Sequence, residues 1–135
     1  YATVASLRAE GFLPIFTFQW YESYNPVPLP TQVAAFRAPI DAGAVIVSGS
    51  QAHRPQAFEF YADRLIQYGL GNLFFDQMWS VPTRQELLDR HVFYEGRHIS
   101  TEVLTAYLED YAQPRPMTPD ERAALLEGVF VASGW

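Results

Sequence analysis

The sequence predicts an α/β fold, and three features carry that reading. Two short apolar runs, residues 12–20 and 44–48, are joined by a segment with helical spacing, the pattern of a βαβ unit. Strand-like segments meet in pairs at two tight turns, Ala62-Asp63 and Glu95-Gly96. Thr118-Pro119-Asp120-Glu121 has the form of a helix start and stands before an apolar stripe.

Residues 3–10 suit a short helix that Gly11 ends. Residues 12–20 read as a strand, apolar on both faces apart from Thr17 and Gln19, with Pro14 near its start where a missing N–H is tolerable. Residues 21–30, rich in Pro, Asn and Tyr, form a loop. Thr31 is placed to cap a helix through Asp41, with Val33, Ala34, Phe36, Arg37 and Ile40 spaced as a stripe. Pro39 disturbs its last turn and Gly43 stops it, so that residues 44–48 start a second, buried strand. A right-handed crossover makes the two strands parallel. Parallel strands need cover on both faces and two cannot stand alone, so further strands are expected.

Residues 58–61 and 64–68 form a hairpin about Ala62-Asp63, and residues 83–90 are expected to be a short helix after Pro82. A second hairpin joins residues 92–94 to 97–108, with Gly96 supplying the positive φ of its turn. Residues 113–117 read as a Pro-rich linker. Thr118 then caps a helix reaching about residue 132, whose apolar face holds Leu125, Leu126, Val129 and Phe130.

Composition limits the partners. The chain of 135 residues carries a net charge of -6 and a pI near 4.9, which argues against nucleic acid or an anionic membrane. All nine basic residues are arginine, and cysteine is absent, which excludes disulfides, thiolate metal sites and cysteine nucleophiles. No apolar run approaches the ~18 residues of a membrane span. Charged residues are 18% and aromatics 16%, so a partner layer is expected over part of the surface, and the chain alone should be poorly soluble or oligomeric. Tyr1 opens neither an initiator Met nor a signal-peptide pattern, and the native start is expected upstream.

Few residues point to chemistry by themselves. His53, in the loop after the second strand, is either a metal ligand or a surface-loop histidine paired to a neighbour; in the second case His53→Ala leaves folding nearly intact. His91 and His98 flank a hairpin turn and are expected to meet across the ladder as a cross-strand pair. Gly69, Gly71 and Asn72 are not a dinucleotide or Walker fingerprint and suit a tight turn, in which Gly71 needs φ above zero. Glu59 and Asp76 are either an acid–base pair or structural carboxylates. Ser48, Ser50 and His53 form no nucleophile elbow. Trp20, Tyr21, Tyr24, Trp79 and Trp135 are either core and interface residues or a surface for sugar or peptide.

The ordered set Gly49, His53, Gln56, Glu59, Tyr61, Ile66, Tyr68, Leu70, Gly71, Asn72, Phe75 and Asp76 resembles a late motif of the poly-γ-glutamate capsule synthesis (CapA-type) family, within the calcineurin-like metallophosphoesterases. That motif runs roughly Gly-x-His-Pro-His-Val-x-Gln-Pro-x-Glu-x-Tyr, then a strand, then Ser-Leu-Gly-Asn-Phe-x-Phe-Asp. Upstream, Gln19-Trp20-Tyr21 with Tyr24 and Gln32 resembles the family's His-Trp-Gly segment, and residues 40–44 match its lead into the second strand. The resemblance covers about residues 12–77. It implies the C-terminal portion of a metallophosphoesterase-like sandwich, with residues 1–80 the C-terminal half of a CapA-like domain and 81–135 an appended hairpin and helix in the same compact unit.

The family's chemistry implies a two-metal centre of Mn, Fe or Zn, most of whose ligands belong to its N-terminal half. Here Gln19 and Gln51 stand where the family has histidines, and only His53 remains at a metal position. Glutamine binds such metals far less well than imidazole, and one histidine does not hold a metal pair. The resemblance therefore implies a CapA-like cell-surface protein with a degenerate metal site, no catalytic residue and no cofactor, acting as a structural or interaction module. The alternative is a metal-dependent hydrolase or capsule-polymer enzyme whose other ligands lie upstream. A carbohydrate- or polyglutamate-binding module is a third reading, weakened for polyglutamate by the chain's own acidity. Expected partners are other protein chains or the N-terminal half, with capsule polymer or carbohydrate next; the expected location is extracellular or the cell envelope.

Overall fold

Two strands and the helix between them organise the first half of the chain. The computed structural model describes residues 1–135. Helix α1 (Ala2–Ala9) precedes strand β1 (Ile15–Ser23), helix α2 (Pro30–Asp41) and strand β2 (Ile46–Ala52). β1 and β2 are parallel, in a register from Ile15↔Ile46 to Gln19↔Ser50, as the βαβ pattern predicts. The further strands come from the hairpin β3 (Phe58–Tyr61) and β4 (Arg64–Gln67), giving the order β1-β2-β4-β3 with β4 parallel to β2. Ala62 and Asp63 take φ of 48° and 58°, the left-handed pair that a two-residue hairpin turn requires.

Three expectations for this half change. β1 is an edge strand, not one buried on both faces: Phe16, Phe18 and Trp20 turn inward, while Ile15, Thr17, Gln19 and Tyr21 are exposed. Phe18 stacks on Phe36 of α2 at 4.5 Å, so the helix covers one face of the strand only. Thr31 does not cap α2; Leu29 is the N-cap residue without a side-chain bond and Pro30 takes the first turn, where its missing N–H costs nothing. β2 continues past residue 48 to Ala52.

The second sheet is an antiparallel meander of β5 (Gln85–Tyr94), β6 (Arg97–Glu109) and β7 (Gln113–Pro116). The helix expected over residues 83–90 is instead a single 3-10 turn, Pro82–Arg84, leading into β5. Cross-strand pairing with β6, from Gln85↔Tyr107 onward, overrides the helical propensity of this segment. The expected linker at 113–117 is strand β7, whose prolines are tolerated because it lies at the sheet edge.

Helix α3 (Pro119–Ser133) starts on the predicted capping box: the Thr118 side chain accepts from the Glu121 amide at 3.3 Å, and the Thr118 amide donates to Glu121 Oε2 at 2.8 Å. Arg115 grips the same carboxylate at 2.7 Å through two nitrogens and, with the Thr118 amide, lowers its pKa to about 2. α3 joins the sheets. Its Leu125 and Val129 pack with Phe58 and Leu65 of the first hairpin and Leu87 of β5. The other core, built on Phe36, Ile40, Val47, Ile66 and Tyr68, lies between α2 and the first sheet.

Candidate functional site

His53 stands one residue beyond β2, at the carboxyl end of two parallel strands, where open α/β sheets place their ligands. Its amide donates to the carbonyl of Ser23, the last residue of β1, at 2.9 Å, so both strand ends fix it. The ring is buried at 8% exposure, stacked against Tyr24 and Phe75 with centroids 5.2 Å from each. The surface exposure expected of this loop histidine is therefore corrected, while its pairing to neighbours is found.

Asn72 holds the ring from one side. Its amide nitrogen lies within hydrogen-bond distance of the carbonyls of Thr83 (2.9 Å) and His53 (3.3 Å) and of Gln77 Oε1 (3.3 Å), two of which its two hydrogens serve at a time, and its Oδ1 is the acceptor toward His53 Nδ1 at 3.1 Å. On the other side Nε2 faces Glu22 Oε1 at 3.0 Å, so each ring nitrogen meets an oxygen. Tyr24 closes the ring of contacts: its hydroxyl donates to Glu22 at 3.0 Å and accepts from Gln77 Nε2 at 3.0 Å.

The other motif residues build the frame. A Cβ on Gly49 would stand 2.2 Å from the Tyr68 carbonyl and 2.7 Å from the Phe36 ring, so only glycine lets β2 and α2 approach this closely. Gln56 is fully buried, donating to the Asn25 carbonyl at 2.8 Å and accepting from Gln32 at 3.0 Å. Glu59 is bound by Arg37 and by the Tyr68 hydroxyl, and burial together with this bond raises the Tyr68 pKa. Asp76 is exposed on the loop after Asn72 and its side chain makes no hydrogen bond, so nothing joins it to Glu59 as an acid–base pair. Gly71 adopts φ +88° as its turn requires, with its turn held against β5 by the Leu87 amide bonding to the Leu70 carbonyl at 2.7 Å.

Gln19 and Gln51 are both exposed, and Gln19 pairs in register with Ser50, beside Gln51. Gln51 has φ 79°, a strained conformation for a residue with a side chain. His91 and His98 do meet across the second hairpin, with centroids 5.4 Å apart and Thr101 bonded to both rings. Trp20 belongs to the core wall, while Tyr21, Trp79 and Trp135 are exposed. Glu22 and Thr83 are the functional-site residues that sequence reasoning passed over. A register shift between Gln19 and Ser23 breaks the alternation that would have tracked Glu22 along β1.

A metal pair does not fit this donor set. His53 and Glu22 are the two strong donors that meet, and each is already engaged. No group of three or more His, Cys, Asp or Glu is arranged around a common point. The glutamines offer neutral oxygens, weak ligands for Mn, Fe or Zn in this setting.

A family model described as Bacterial capsule synthesis protein PGA_cap matches residues 1–77. Among individual proteins, the Capsule biosynthesis protein CapA of Bacillus anthracis is 34% identical over 111 residues, 82% of this chain and 26% of that protein. The PGA biosynthesis protein CapA of Bacillus subtilis is 35% identical over 93 residues, covering 69% of this chain and 24% of its own length. A probable polyglutamine synthesis accessory protein of Mycobacterium tuberculosis is 31% identical over 72 residues, 53% of this chain and 19% of that one. The chain thus spans about a quarter or less of the relatives it matches.

Proposed function

The chain belongs to the bacterial capsule synthesis protein family, and on that premise we propose that it is a capsule-synthesis protein with a degenerate metal site, working as a structural or interaction module at the cell envelope. The observation that carries this reading is the state of His53. Its two ring nitrogens are taken by Asn72 and Glu22, while the neighbouring positions Gln19 and Gln51 present neutral amides to solvent. A histidine locked in this way fixes the junction of β1, β2 and the Asn72 turn rather than waiting for a ligand. The relatives are named for synthesis of capsule, PGA or polyglutamine, which supports an envelope location and a partner in that assembly, either another protein chain or the polymer itself. No helix is long and apolar enough to cross a membrane.

One observation favours a second reading. A histidine whose Nδ1 is held by an amide oxygen has the outer-shell partner typical of metal ligands, and Nε2 with the Glu22 carboxylate beside it would be the groups facing a metal. In that reading the intact protein is a metal-dependent hydrolase or polymer-synthesis enzyme, and the remaining ligands come from outside these residues. Elemental mass spectrometry of the protein purified from its native source separates the two. Metal well below one equivalent is expected; about two equivalents of Mn, Fe or Zn per chain would overturn the degenerate-site reading in favour of the second.

A further inference from the structure

Helix α3 ends in a turn that folds an aromatic ring back toward β3. Gly134 takes a left-handed φ of 81°, its amide donates to the Val131 carbonyl at 3.1 Å, and the Trp135 amide returns to the Phe130 carbonyl at 3.0 Å. This cap sets the Trp135 ring at 10° to that of Phe60, with centroids 5.7 Å apart, and 5.6 Å from Phe130. Phe58 joins the group at 6.5 Å. Rings gathered in this way usually close a core, yet Phe60 is 66% exposed and Trp135 58%. A contiguous exposed patch of this kind marks a place where something binds.

The four rings line a cavity of about 340 Å³, a size that suits a small molecule. β6 lines the remainder with His98, Ser100 and Thr101, and the β3–β4 turn adds the exposed Asp63. Asp63 enters none of the ion pairs of the chain. Every basic residue here is arginine, and no arginine lines the cavity. The guanidinium-on-ring contacts of the chain lie elsewhere, Arg37 on Tyr61 and both Arg84 and Arg115 on Tyr107. An aromatic face carries negative potential and attracts a cation, most strongly where water is displaced. The Asp63 carboxylate adds to that attraction, and the net charge of -6 favours the same sign at longer range. Apolar walls disfavour a compact hydrated ion, whose water they cannot replace, and suit a cation clad in methyl groups.

We propose that this cavity binds a small organic cation of the alkylammonium class, its methylated nitrogen against Trp135 and Phe60 and its charge toward Asp63. Gly134 acts as a positioning residue, because its left-handed cap holds Trp135 in place. None of these residues belongs to the His53 network, so the site holds or falls independently of the metal question.

The test is a calorimetric titration of the protein at low salt with choline, with dimethylbutanol (in which carbon replaces the charged nitrogen) and with glucose. Saturable binding of choline at millimolar concentration is expected, at least tenfold tighter than that of dimethylbutanol. Trp135→Ala should weaken it at least tenfold. Asp63→Asn should weaken it several-fold, and it carries the test if Trp135→Ala does not fold, because asparagine keeps the left-handed φ of 58° that this turn position needs. Dimethylbutanol binding as well as choline would overturn the proposal in favour of a purely apolar pocket, and glucose binding more tightly would do so in favour of a sugar site. Sedimentation of the free protein supplies the remaining check: a dimer that Trp135→Ala dissociates would assign the rings to a second copy of the chain instead. Choline binding that neither substitution changes, or no saturable binding of choline, would likewise overturn it.

Discussion

Replacing His53 with alanine should cost this chain much of its stability, and the contacts give the size of the loss. The ring is 8% exposed and donates to Asn72 at 3.1 Å, and Asn72 is itself only 7% exposed. Removing the donor leaves Asn72 Oδ1 buried and unpaired, a loss of about 1–3 kcal/mol. Stacking on Tyr24 and Phe75 disappears as well, worth roughly 0.5–1.5 kcal/mol per aromatic contact, and a ring-sized void remains. The contact to Glu22 adds little, because that carboxylate is 59% exposed and well screened. These terms share atoms and do not add fully, so a loss of about 3 kcal/mol is expected, or a melting shift of roughly 10 °C for a domain of this size. Urea denaturation followed by tryptophan fluorescence measures it, with Glu22→Ala as the exposed control expected to lose under about 1 kcal/mol. A His53→Ala loss below about 1 kcal/mol with an unchanged m value would refute the locked-histidine reasoning and restore the surface-loop picture.

Two further perturbations test the frame around the site. Gly71→Ala forces a side chain onto φ +88° and sets its Cβ 2.4 Å from the Gln85 carbonyl, so a loss of at least about 2 kcal/mol is expected; an unchanged melting curve would show that this turn does not meet β5 as described. Glu86 is 1% exposed, with both carboxylate oxygens unpaired, and burial pushes its pKa from 4.5 up to about 7. An acid with a raised folded pKa holds its proton more tightly in the folded chain, so its contribution is most favourable below pH 4.5 and declines until about pH 7. Glu86→Gln should therefore stabilise the chain at pH 8 by about 2–3 kcal/mol and leave it nearly unchanged at pH 4, read by urea unfolding at both values. Parallel pH profiles for the two proteins would show that Glu86 finds a partner on folding.

What the sequence revealed follows the range of the forces involved. The Ala62-Asp63 turn, the Thr118–Glu121 capping box and the β1-α2-β2 crossover are local, set by residues within one element or its connection, and all three stand as read. Apart from the α2 cap, which falls on Leu29 and not Thr31, the failures lie where a distant partner decides. Residues 85–90 are strand because β6 pairs with them, and residues 113–116 are strand because β6 offers its other edge. His53 looked exposed because it follows the polar run Ser48 to Gln51 and precedes Arg54; its cover comes from Tyr24, 29 positions earlier, and Phe75, 22 positions later.

The same placement separates the motif positions that hold the fold together from those that do not. Gly49, Gln56, Glu59, Gly71 and Asn72 each close a contact between distant segments, and their substitution would open the junction of the sheets and α2. His53 belongs with them, since its ring fills the space between Tyr24 and Phe75 and its Nδ1 satisfies Asn72. Gln19 and Gln51 close nothing: their side chains face solvent at the strand ends, where exchange of a polar residue costs the fold within about 0.5 kcal/mol. Imidazoles at those two positions would touch a ligand and nothing of the fold, whereas the buried histidine also serves the fold. On the degenerate-site reading proposed above, the motif therefore divides into a structural part and a ligand part, and the two exposed glutamines fall in the second.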